Sequence, residues 1–148
     1  MQRGVSILAV AAVIFVVLLI AVAALTCVVD TKSAANEGGA TAALRALSSA
    51  EADFAKANGH FAESLKDLRA GHADLGDSVL SGLAEGGSPT NFTKYGYEFK
   101  YVANKVTFHI TADPVTRGKT GTRSFYVDES AIIRANATTS ATATDNPI

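Results

Sequence analysis

The sequence predicts an α+β fold in which a long amino-terminal hydrophobic helix is followed by an amphipathic helix packed on a small antiparallel sheet of about four strands. Three observations lead there. Residues Val5 to Val29 form a charge-free run of 25 residues, 23 of them apolar. Apolar residues then recur at helical spacing between Ala42 and Lys56, and beyond Tyr97 they alternate with polar ones. A 3.6-residue period marks a helix with one buried face, and a period of two marks a half-buried strand.

With 148 residues and a formal net charge of −1, the chain fits one folded domain plus the apolar run. The balanced charge argues against a nucleic-acid partner, which would call for a basic stripe. No second run approaches the roughly 18 apolar residues that a membrane span requires, so a multi-span protein is excluded as well.

Residues 5–29 read as a transmembrane helix, because 25 helical residues at about 1.5 Å each exceed the hydrocarbon thickness of about 30 Å. A cleavable secretory signal would carry a shorter apolar region. Arg3 and the amino terminus outweigh Lys32, which places the amino terminus in the cytoplasm and the domain outside it. The membrane partner is lipid. Cys27 is the only cysteine, so no intramolecular disulfide forms, and it reads as a small apolar residue at the membrane edge. Ala24, Leu25 and Thr26 before it argue against lipidation.

Residues 30–41 are polar and small and include Gly38 and Gly39. Two glycines cost a helix about 2 kcal/mol relative to alanine, so a hinge is expected there. The exported domain is expected over 42–136. In its helix Ala43, Leu44, Leu47, Ala50 and Phe54 form the buried stripe, with Arg45, Ser48, Glu51 and Lys56 away from it. Asn58 and Gly59 stop this helix, and Glu63 to Leu68 forms a short turn or helix. Glycines and Pro89 between Gly71 and Asn91 suit a surface excursion with a short helical stretch near Ser78 to Leu83. The strands expected are Tyr97 to Tyr101, Val106 to Ala112, Ser124 to Val127 and Ile132 to Ala135. Residues 137–148 form an Ala/Thr-rich tail that is poorly packed or lies at an edge.

Candidate chemistry is sparse. His60, His72 and His109 lack the spacing of a zinc helix. Glu63 and Asp67 read as a charged surface, and Asp113, Asp128 and Glu129 would bind calcium only if the fold gathered them. Arg117 to Arg123 contains Gly-Lys-Thr-Gly without the leading glycine or following helix of a phosphate loop. It reads as a basic connection that could touch a polyanion. A cleft gathering His109, Asp113 and Arg123 would be needed to revive an enzyme. No catalytic residue, metal site or cofactor is assigned. Asn91-Phe92-Thr93 and Asn136-Ala137-Thr138 match the glycosylation sequon.

The start of the chain, Arg3-Gly4 followed by Val5, Ser6, Ile7, Leu8 and Ala9, resembles the type III signal of bacterial type IV pilins and pseudopilins. Ala42 to Glu51 with Phe54, Gly59 to Leu68, Gly96 to Tyr101, Asp113-Pro114 and Phe125 to Ser130 resemble segments of a bacterial pilin-like group. The resemblance implies a pilin-like fold and a short cytoplasmic leader, residues 1–4. It further implies cleavage by a prepilin peptidase between Gly4 and Val5, with Val5 becoming a methylated amino terminus. The other implied partners are pilin-like subunits or copies of the chain itself, contacted through the apolar helix. The family places a glutamate where this chain has Ala9, so the carboxylate that would meet a neighbour's terminal amine is missing. The function expected is that of a non-catalytic structural subunit or accessory protein of a pilus or type II secretion-type assembly. The alternative is a permanently anchored extracytoplasmic binding domain that enters no filament.

Overall fold

The computed structural model describes residues 7–72, 75, 79–80 and 90–148; within the first helix, the side chains of 7–9 and 21–30 lie outside that description. The chain divides into two compact units, Met1–Lys32 and Ser33–Ile148. Helix α1 spans Ile7–Asn58. In the first unit every residue from Val10 to Ile20 is apolar and exposed. Among the described residues, no helix is long and apolar enough to cross a membrane. The long apolar helix expected over 5–29 is therefore not found as such, and eleven of its residues have described side chains.

The second unit is α+β. The carboxy-terminal part of α1 and helix α2, Leu65–Gly71, pack with one antiparallel sheet. Its strands are β1 Asn91–Lys94, β2 Tyr97–Ala103, β3 Phe108–Pro114, β4 Ser124–Asp128, β5 Arg134–Asn136 and β6 Asn146–Pro147. They lie side by side in chain order, so every connection joins neighbours. Among the described residues, six strands replace the roughly four expected. β1 and β6 are only four and two residues long and carry no alternation that could announce them. β1 is secured by its ladder to β2 and by Phe92, whose ring stacks on Phe99 with centroids 4.6 Å apart. β6 makes the carboxy-terminal tail an edge strand beside β5, and Ala141 of the tail is buried.

The alternation in β2 survives intact, with Tyr97, Phe99 and Tyr101 buried and Glu98, Lys100 and Val102 exposed. β3 begins two residues later than its apolar pattern suggests. Asn104 Oδ1 accepts hydrogen bonds from the amides of Val106 (2.8 Å) and Thr107 (2.9 Å), a side-chain-built turn that leaves Val106 exposed. β5 is likewise displaced, to Arg134–Asn136, with Ile132 exposed before it. The β1–β2 connection is the pair Tyr95-Gly96 with φ of 51° and 69°. Two positive φ values define the tight hairpin turn that matches strand twist.

Ala43, Leu44, Leu47 and Ala50 are buried as the stripe requires, and Phe54 packs against the same core from a half-buried position. Two members of the supposed outer face are not outside: Ser48 is buried and Glu51 is fully buried. The hinge expected at 30–41 is also corrected. Residues 33–41 are helical and belong to the compact unit, which thus begins before residue 42 and continues past 136. Ser33, Glu37 and Ala40 are buried, and their tertiary packing outweighs a helix-propensity cost of about 2 kcal/mol.

The two glycines differ in what surrounds them. A Cβ on Gly39 would lie 2.8 Å from Tyr95 Cγ, so the missing side chain is what seats the Tyr95 ring on α1; Gly38 has nothing within 4 Å. Gly38→Ala is therefore expected to stabilise the domain by about 1 kcal/mol through helix propensity. Gly39→Ala is expected to destabilise it by about 1–2 kcal/mol, because overpacking exceeds the same gain. Urea denaturation of the two variants checks the contrast, and equal stabilisation by both would show that the glycines act as propensity alone.

Candidate functional site

Val10 to Ile20 makes up the exposed surface that stands out chemically. Val13, Phe15 and Ile20 are each more than 60% exposed, and no residue of the stretch is polar. An amphipathic helix of a soluble domain carries one apolar stripe; a helix apolar on all sides is covered by lipid or by other apolar helices. Of the residues named for processing and assembly, Gly4 and Val5 lie outside the described residues. Ala9 belongs to α1, but its side chain lies outside that description, as does that of Cys27.

Two carboxylates, both missed in the sequence, tie α1 to the rest of the second unit. Glu37 Oε1 accepts hydrogen bonds from Thr122 N (2.8 Å), Thr122 Oγ1 (2.6 Å) and Arg123 N (3.2 Å), and Oε2 accepts from Arg123 Nε at 2.9 Å. Burial alone would raise the pKa of Glu37. The four hydrogen bonds from Thr122 and Arg123 outweigh it and hold the carboxyl below its ordinary 4.5. Alongside, Asn36 Nδ2 donates to Thr120 O at 2.8 Å. Glu51, about two turns short of the helix end at Asn58, meets Tyr101 Oη and the amide of Ala62.

These contacts also explain the Gly-Lys-Thr-Gly connection between β3 and β4. A side chain on Gly121 would collide with the phenol of buried Tyr97, and Gly118 adopts φ of 79°, so both glycines answer to packing and turn geometry. Arg117 donates to the carbonyls of Thr122 (2.7 Å), Ala137 (3.0 Å) and Thr139 (3.2 Å) and to Ser124 Oγ (2.6 Å). Arg123 is paired with Glu37. Two of the three cations that suggested polyanion contact are thus engaged within the fold.

Among the candidates for an enzyme site, His109 stands apart from Asp113 and Arg123. His109 stacks on Tyr126 and lies opposite Asp128, whereas Asp113 stands four residues along the same strand, about 13 Å away, and Arg123 belongs to the Glu37 pair. Asp128 Oδ1 accepts from Ser130 N and Oγ within its own turn. Among the described residues no group of three His, Cys, Asp or Glu side chains could hold a metal ion. His60, Glu63 and Asp67 line an open groove of about 390 Å³ with Phe54 and Ala70. Asp67 is there the partner of the Ser64 cap of α2, whose Oγ accepts from Asp67 N at 3.2 Å. Asn136, the second sequon asparagine, donates to Asp145 Oδ1 at 2.8 Å and helps hold the tail.

Comparison of the chain with protein-family models, with curated proteins and with solved structures finds no match.

Proposed function

We propose that the chain is a type IV pilin-like or pseudopilin-like protein, a non-catalytic structural subunit or accessory component of a pilus or type II secretion-type assembly. In this reading residues 5–29 are a single membrane helix with the amino terminus in the cytoplasm and the α+β unit outside it. Prepilin peptidase cuts after Gly4, and Val5 becomes the mature terminus. The observation that carries the reading is the wholly apolar, wholly exposed stretch Val10 to Ile20. Burying a large apolar side chain is worth about 1.5–3 kcal/mol, so a helix exposing eight of them from Val13 to Ile20 requires a cover. Lipid covers the helix before assembly, and the helices of neighbouring subunits cover it afterwards. The Arg3-Gly4 junction and the order of helix followed by antiparallel sheet agree with this reading.

Ala9 favours a second reading, in which the helix is a permanent anchor for an extracytoplasmic binding or accessory domain. A terminal ammonium drawn into hydrocarbon is costly without an opposite charge, and Ala9 supplies none. Single cysteines at Val10, Val13, Val17 and Ile20 in a Cys27→Ala background separate the two readings in native membranes. Oxidative crosslinking to multimers with a helical repeat is expected for the assembly subunit. Absence of crosslinks at all four positions would leave only the anchor.

A further inference from the structure

Glu51 is a fully buried carboxyl group for which assembly offers no use. It sits on α1 between β2, which contributes Tyr101, and the segment joining α1 to α2, which contributes Ala62. The hydrogens around it can be counted. Ala62 N–H donates to Glu51 Oε2 at 3.1 Å, which satisfies one carboxyl oxygen. Tyr101 Oη has two acceptors in reach, Glu51 Oε1 and, at 2.5 Å, the carbonyl of Ala62. A phenol carries one hydrogen. With Glu51 ionised, that hydrogen serves one acceptor and leaves two buried oxygens facing each other without a proton between them. With Glu51 protonated the set closes: Glu51 donates to Tyr101 Oη, and Tyr101 donates to Ala62 O.

We propose that Glu51 is carried as the neutral acid in the closed domain and forms a proton-dependent latch, whose ionisation loosens the segment 59–64 and α2 from α1. The surrounding charges agree. Burial is the largest influence and raises the Glu51 pKa above its ordinary 4.5, against smaller lowering contributions from Tyr101, Ala62 and His72. The titratable groups facing the pair are Tyr101 on β2, His72 just after α2 and, acting on Tyr101, Asp67 on α2. No guanidinium or ammonium contacts the carboxyl among the described residues. The folded state therefore holds a proton that the unfolded chain releases. The contribution is complete below pH 4.5 and is lost as pH rises through the higher folded value.

The test is a carboxyl ¹³C titration of the full chain, labelled at glutamate and dissolved in dodecyl maltoside, with Glu51 assigned by its loss in Glu51→Gln. Hydrogen exchange of the Ala62 amide is followed in parallel. The expected midpoint for Glu51 lies above 4.5. Protection of Ala62, corrected for intrinsic exchange, is expected to fall as pH passes that midpoint in the wild type and to stay level in Glu51→Gln. The amide can reproduce the chain of donors, since its NH₂ replaces the acid's O–H. A midpoint at or below 4.5 would overturn the proposal, as would lower Ala62 protection in Glu51→Gln than in the ionised wild type. If Glu51→Gln fails to fold, the amide cannot stand in for the acid, and the proposal is likewise overturned.

Discussion

Leu47→Ala is expected to destabilise the α+β unit by about 2–5 kcal/mol, the range for deleting a fully buried leucine side chain whose cavity does not collapse. Leu47 is 0% exposed and belongs to the same core as Leu44, Phe99, Ile110 and Phe125. Arg45, two residues away on the exposed face, gives the contrast: its alanine variant should fall within about 0.5 kcal/mol of the wild type. Urea denaturation of both variants in detergent measures the difference. Similar small losses would mean that this part of α1 is a spacer and not half of the domain core.

Glu37→Ala is expected to cost about 2–4 kcal/mol. It removes the acceptor of four hydrogen bonds, one of them from the Arg123 guanidinium, and strands the Thr122 hydroxyl and amide. Hydrogen bonds to charged groups are worth about 1.5–3 kcal/mol each, but they share one carboxylate and do not add. Arg123 is half exposed and regains water, which limits the loss on its side. The same site gives a pH dependence opposite in sign to that of Glu51. The folded pKa of Glu37 lies below its ordinary 4.5, so its contribution is fully present above that value and is lost as pH falls through the folded one. The denaturation midpoint measured from pH 6 down to pH 3 should therefore fall more steeply in the wild type than in Glu37→Ala. Parallel curves would contradict the role assigned to Glu37.

The elements legible in the sequence are those whose signal is local. The 3.6-residue stripe from Ala43 to Ala50 and the alternation Tyr97-Phe99-Tyr101 each report a buried face without help from distant residues. Features set by distant partners were not legible. Glu51 read as a surface charge and Glu37 drew no assignment, because residue type alone gives a carboxylate to water; their partners lie 50 and 85 residues away. Gly38-Gly39 reads as a break until Tyr95 is placed over Gly39. Val106 extends an apolar alternation, yet Asn104 turns the chain beneath it. β1 and β6 are too short to announce themselves, and their partner strands define them. As for the candidate functional surface, the apolar run was plain from composition, and the structure adds that Val10 to Ile20 is exposed throughout.

Mass spectrometry of the amino terminus of the chain isolated from its native cells decides whether the proposed processing takes place. A mature protein beginning at Val5, its amine methylated and residues 1–4 removed, is the expected result. An intact Met1 would contradict processing after Gly4 and, with it, the assignment of this chain to the pilin-like class.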